Sequence, residues 1–148
     1  MIRSQVRQTA TASATVTSWD ETRYDAPDGQ SPLAQAEFGL TYTGDLTGES
    51  STRVLLVYTC GDPAQPGTLV GDYLGLERVT GTLDGRTGSF VVAHQGRHEG
   101  GAAHTKGRIV DDSATGELAG LSGDVEATAR DTTFQVTISY AFGNPAIH

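Results

Sequence analysis

The sequence predicts an all-β fold, an eight-stranded and mostly antiparallel up-and-down β-barrel, and three observations carry that prediction. Apolar and polar residues alternate with period two over segment after segment of the chain. Glycine makes up 19 of 148 residues, nearly twice the usual share of roughly 7%, and the glycines fall at the breaks between those segments. Helix formers are scarce, whereas Thr, Val and Ser are plentiful, as in short strands joined by tight turns. An open sheet of this length would expose one apolar face and two unpaired edges. Closing it into a barrel removes both problems, and a two-sheet sandwich is the alternative.

The elements follow in order. From Thr9 to Ser18, Ala10, Ala12, Ala14 and Val16 alternate with Thr and Ser, giving a half-buried strand with small inward residues. Trp19 falls on the outward parity of that strand, as an interface anchor or a lid over a barrel mouth. From Ala34 to Thr43 the inward set is Ala34, Ala36, Phe38, Leu40 and Tyr42. Arg53 to Tyr58 is apolar on both parities, so its inward face stays open. Asp84-Gly85, between Tyr73–Leu83 and Arg86–Gln95, is the strongest turn signal. A two-residue Asp-Gly loop suits a type I′ turn, in which both residues need positive φ. That turn sets Leu83 against Arg86, Val79 against Phe90, Glu77 against Val92 and Gly75 against His94. Further hairpins are expected at Gly44–Gly48, Gly100-Gly101 and Arg130-Asp131-Thr132. Asp111 to Gly123 is expected to hold a turn and one helical turn around Glu117-Leu118-Ala119. Two longer loops lie near Asp20–Pro32 and Cys60–Thr68. Val125, Ala127 and Ala129 mark one late strand; Phe134, Val136, Ile138, Tyr140 and Phe142 mark the last. The whole chain, 1–148, reads as one domain with its core at roughly 9–142.

Composition narrows the function. Lys and Arg total 10 against 18 Asp and Glu, a net charge of −8. A nucleic-acid or anionic-membrane binder needs a basic face that this chain is too poor in cations to build. The start of the chain lacks the hydrophobic stretch of a secretory signal, and no apolar run approaches a membrane span, so a cytoplasmic, bacterial-type protein is expected. A single cysteine, Cys60, rules out a disulfide framework or a multi-Cys zinc site.

Five motifs resemble the DUF3224 family, in the family's order. They are Thr17-Ser18-Trp19-Asp20-Glu21, the run from Tyr42 to Ser50, the run from Tyr73 to Gly81, Gly85-Arg86-Thr87-Gly88-Ser89-Phe90, and the run from Thr115 to Gly123. The likeness covers roughly Ala10 to Phe142. The chain departs from the pattern at Ala114, where glycine is expected, and in a longer Cys60–Thr68 loop. The resemblance implies a barrel similar to allene oxide cyclase and the lipocalin-like barrels. Some barrels of that shape, including bacterial ones in natural-product pathways, are cyclases that fold a largely apolar substrate in the lumen.

The residues themselves point to candidate chemistry. The Asp84-Gly85 register puts Glu77, Val79, Phe90, Val92 and His94 on one face, with Glu77 and His94 diagonal neighbours. A carboxylate in an apolar lumen is pushed up in pKa and an imidazolium beside it pulls it down; either outcome suits proton transfer. The alternative is a structural buried ion pair. Tyr42, Tyr140 and, if its parity allows, Tyr58 either orient a substrate carbonyl or serve as core rings. The expected site is therefore Glu77, His94 and Tyr42 as the acid–base group, with Phe38, Tyr58, Phe90, Val92, Phe134 and Tyr140 around the ligand. The small Ala10, Ala12 and Ala14 leave space in the lumen, which either stays hollow there or is filled by the large inward residues of other strands. No cofactor is expected, and no metal site. His94 faces the lumen, His98 sits in a turn, His104 shares an outer face with Lys106 and Arg108, and His148 is terminal. The outer face bearing Leu74, Leu76, Val91 and Ala93 beside Arg78 is too apolar for a lone barrel and suggests a two-fold dimer. The function that results is a barrel for a small, largely apolar molecule, extending to a cofactor-free cyclase or isomerase. The alternatives are a non-catalytic binder and a structural oligomerising barrel.

Overall fold

A computed structural model describes residues 6–24, 26–61 and 68–143. Among these residues there are nine strands: β1 Gln8–Arg23, β2 Leu33–Gly44, β3 Leu46–Cys60, β4 Val70–Leu83, β5 Arg86–Glu99, β6 Ala102–Ile109, β7 Thr115–Gly116, β8 Leu121–Arg130 and β9 Thr133–Phe142. Eight of them close an antiparallel barrel in the order β4, β3, β2, β1, β9, β8, β6, β5, with β5 returning to β4. Each strand pairs with its sequence neighbour in the barrel, and β1 with β9 completes the circle. The short β7 caps the first half of β5 at Gly88 and Ser89. The barrel, not the sandwich, solves the edge problem.

The Asp84-Gly85 turn has both residues at positive φ, 47° and 86°, and pairs Leu83 with Arg86, Val79 with Phe90, Glu77 with Val92 and Gly75 with His94. Only glycine takes such a φ without strain, and aspartate is among the few side chains that tolerate it. Gly100-Gly101 and Asp131-Thr132 make the other two-residue reversals. β2 and β3 pair no further than Tyr42 opposite Gly48, so the hairpin expected at Gly44–Gly48 is present; its flanks Gly44 and Leu46 pair instead with Ala12 of β1 and Leu83 of β4. Asp45 holds that corner to β1: its carboxylate accepts from Thr11 N and its own N–H donates to Thr11 O, both at 2.9 Å. No helical turn forms at Glu117–Ala119. The chain makes consecutive turns there, and Leu118 is fully buried as a stopper in the wall.

β1 contains a bulge: Val16 pairs with Leu40 but Ser18 pairs with Gly39, leaving Thr17 over. One inserted residue reverses inward and outward for the rest of a strand. Trp19, Glu21 and Arg23 therefore stand opposite the inward residues Phe38, Ala36 and Ala34. This overturns the outward parity expected for Trp19.

The lumen has two unlike halves. One is packed solid by Leu46, Val79, Leu83, Phe90, Val92, Ile109, Leu118, Leu121, Ile138 and Tyr140, which close on Ala10, Ala12 and Ala14. The alanines of β1 make room for these larger side chains and not for a cavity. The other half is hollow.

Candidate functional site

The hollow half holds a cavity of about 500 Å³ that opens at the end where β1, β3 and β5 finish. Its size falls within the range of small-molecule sites. Its walls are mostly apolar, with Phe38, Val54, Leu56, Ala127, Phe134 and Val136 among them. Small inward residues on β6 and β8 (Ala103, Ala127 and Ala129) leave the space.

Tyr42, Glu77 and His94 form the floor. They come from β2, β4 and β5, and the strand between β2 and β4 makes their meeting possible. Inward positions on β3 at this level are Gly48, Ser50 and Thr52, opposite Tyr42, Leu40 and Phe38 on one side. Short side chains there let the phenol reach over β3 to the carboxylate. Tyr42 Oη donates to Glu77 Oε2 at 2.5 Å, and His94 Nε2 lies 2.7 Å from Glu77 Oε1. Glu77 is 3% exposed. On β6 the residue facing His94 is Gly107, where a Cβ would come within 2.6 Å of His94 Nδ1. The missing side chain gives the imidazole its place. His94 Nδ1, Ser50 Oγ and Thr52 Oγ1 are buried with no hydrogen-bond partner among the described residues.

Burial alone would push the Glu77 carboxyl up. The hydrogen bond from His94, positive charge on that ring, the nearby Ser50 hydroxyl and the bond from Tyr42 outweigh it and hold the group below the usual carboxylate range. Burial, then the Glu77 charge, pushes the Tyr42 phenol well above its ordinary value. At neutral pH the pair is a carboxylate accepting from a phenol.

A second polar group rings the mouth. Glu21 accepts from Tyr58 Oη at 2.7 Å, from Arg23 Nε at 3.0 Å and from Trp19 Nε1 at 3.3 Å. The Arg23 guanidinium lies 5.0 Å from the Tyr58 ring centroid, and Trp19 stacks on Phe38 at 4.8 Å. Burial first, then Glu21, raises Tyr58 to about 12.

The structure thus gathers Tyr42, Glu77 and His94 at the floor and puts Phe38, Tyr58 and Phe134 on the cavity wall. Phe90, Val92 and Tyr140 face the lumen but lie in the packed half, away from the cavity; Tyr140 reaches Asp84 and Gln8 at the closed rim. His98, beside the Gly100-Gly101 turn, is the last but one residue of β5 and lines the cavity, with Nδ1 3.1 Å from Leu69 O. His104 is outward and exposed, and among the described residues no group of three or more His, Cys, Asp or Glu side chains could hold a metal ion. His148 lies outside the described residues. Sequence reasoning missed Thr52, Tyr73, Gly107 and the assembly of the mouth group, of which it had named only Tyr58 and, as one reading, Trp19 as a lid. Tyr73 was readable, because it shares the parity of Glu77 on β4. The mouth group was not, because nothing in Val16-Thr17-Ser18 marks a bulge.

The sequence matches the family described as "Protein of unknown function (DUF3224)" over residues 10–140. The chain belongs to the DUF3224 family. Among solved structures it is similar to a DUF3224 protein of unknown function from Shewanella oneidensis MR-1. The two are 25% identical with a TM-score of 0.68, and the match covers 95% of this chain and 100% of that one. No curated protein matches. Among the described residues of this DUF3224 barrel, no helix is long and apolar enough to cross a membrane.

Proposed function

We propose that the protein binds a small, largely apolar molecule inside the barrel. The observation that carries this reading is the hollow half: eight strands can pack their lumen completely, and one end of this barrel does. The other end leaves about 500 Å³ open to the outside over a buried polar floor. Trp19 is the only tryptophan and stands at the mouth, so it reports on the site directly. Titration with the neutral dye N-phenyl-1-naphthylamine should transfer Trp19 emission to the dye and saturate at a single dye per chain. Ala127→Leu, which fills the cavity, should abolish the signal. Equal dye binding in that variant would refute the reading.

A second reading, proton transfer on the bound molecule, is favoured by the Tyr42–Glu77–His94 network. A proton taken from one carbon and returned at another is an isomerisation or cyclisation that balances without a cofactor. Holding a flexible ligand folded in a narrow lumen supplies the orientation such a step needs. Glu77→Gln should then abolish turnover and leave affinity for a neutral ligand within a few-fold.

The same proposal includes a two-fold dimer in the cytoplasm. Leu33, Leu55, Leu74 and Leu76 are each more than half exposed on the outer face of β2, β3 and β4, with Leu55 directly opposite Leu74. Sedimentation of the purified chain should give twice the monomer mass, and the double variant Leu55→Glu/Leu74→Glu should give the monomer.

A further inference from the structure

We infer that the ligand of this cavity carries a basic amine on its apolar skeleton and that carboxylate ligands are rejected. This rests on the lumen being the binding site and names the chemical class that the site selects.

The charges facing the cavity are unbalanced. Among the described residues that line it, Glu21, Glu77 and Asp131 stand against the single guanidinium of Arg23. Arg23 is engaged through Nε by Glu21, so the mouth pair is close to neutral, and Asp131 lies out at the rim. What remains deep in the barrel is Glu77. Its Oε2 accepts from Tyr42 Oη at 2.5 Å and its Oε1 lies 2.7 Å from His94 Nε2. A carboxylate has about four lone-pair sites, and these two bonds use only part of them. An N–H donor entering from the cavity finds an unused acceptor on a carboxylate in an apolar setting, where an ion is worth far more than in water.

The wall suits a cation as well. Six rings line the cavity: Trp19, Phe38, Tyr42, Tyr58, Tyr73 and Phe134. Their faces carry negative potential and attract ammonium groups. The net charge of −8 adds a long-range field of the same sign. An entering carboxylate would meet the reverse at every stage. It would approach against the field, find its one guanidinium already held by Glu21, and end beside the Glu77 carboxylate.

The experiment compares three molecules of one skeleton on the full chain: 4-phenylbutylamine, 4-phenylbutan-1-ol and 4-phenylbutanoate. Affinity is read by Trp19 emission and by calorimetry at neutral pH. The amine should bind about tenfold or more tightly than the alcohol, and the carboxylate weakest of the three. Glu77→Gln should bring amine and alcohol to within about threefold of each other. Ala127→Leu should abolish all three, placing them in the lumen. An amine no tighter than the alcohol in the parent protein overturns the inference whether or not Glu77→Gln folds, and so does an amine preference that survives Glu77→Gln. In either case binding of the alcohol leaves the barrel reading standing. If none of the three binds, the barrel reading falls and takes the inference with it.

Discussion

The two ends of the barrel share one wall and differ in what fills it. Around Phe90, Ile138 and Tyr140 the inward side chains are large, meet across the lumen and exclude water. Around Ala103, Ala127 and Ala129 they are small, and opposite walls do not touch. The strand ladder is indifferent to this, because hydrogen bonding between strands depends on backbone and not on lumen volume. A closed barrel can thus put stability in one half and leave the other free to bind. The halves meet at Tyr42, Glu77 and His94, the level at which polar groups replace apolar ones.

The sharpest way to break the comparison is to remove a phenylalanine from each half. Phe90→Ala opens a void in a packed core and should cost about 3–5 kcal/mol, the transfer loss plus the cavity. Phe134→Ala borders space that is already empty and is only half buried. It loses only part of its transfer term, about 1–2 kcal/mol. Urea unfolding monitored by circular dichroism distinguishes them. Equal costs would mean that the open half is packed in solution.

The boundary between the halves comes next. Gly107→Ala places a methyl group 2.6 Å from His94 Nδ1 and 2.8 Å from Val92 Cγ1. The imidazole must leave Glu77, or β6 must shift, at about 1–3 kcal/mol. The NMR shifts of the His94 ring should move while those of His104, on the outside, stay. A silent His94 would show that Gly107 is not what seats it.

Glu77 adds a pH dependence of defined sign. Its carboxyl is held below the ordinary range in the folded protein. The stabilisation it confers is therefore complete above the unfolded value of about 4.3 and drains away as pH falls through the folded one. Glu77→Gln should cost about 1–3 kcal/mol at pH 7, and the gap to the parent should shrink below pH 4. A gap that widens in acid would reverse the assignment.

How much of this was legible in the sequence differs between the two ends of the same argument. The pairing of Glu77 with His94 was legible because an Asp-Gly turn needs positive φ twice, and that requirement fixes the register of every pair behind it. Tyr42 was legible as an inward residue of the same acid–base group, but its direct bond to Glu77 was not, since the contact depends on the short side chains of the intervening strand. The position of the cavity was not legible. Ala10, Ala12 and Ala14 looked like space, yet Ile138 and Tyr140 from the neighbouring strand fill it; hollowness is a sum over eight strands and no single strand shows it. The mouth was hidden by Thr17, an ordinary residue at a bulge, which turned Trp19, Glu21 and Arg23 from outside to inside.

That mouth gives the smallest predicted effect and the most specific one. Tyr58 Oη donates to Glu21 beside solvent, so Tyr58→Phe should cost only about 0.5–1.5 kcal/mol, an ordinary hydrogen bond. Its signature lies at high pH. Burial and the Glu21 carboxylate raise the phenol to about 12, and the Arg23 charge only partly offsets them. A phenol whose folded value is raised stabilises the protein fully below the unfolded value of about 10, and that contribution is lost as pH rises through the folded value. Ultraviolet titration should therefore show tyrosines that ionise late in the parent protein and one fewer of them in Tyr58→Phe. Glu21→Gln should leave Tyr58 in place but let it ionise earlier, because the charge that opposed it is gone. If Tyr58 titrates equally late in Glu21→Gln, the mouth group is not held together by Glu21, and the reversal of β1 at Thr17 does not have the consequence drawn from it.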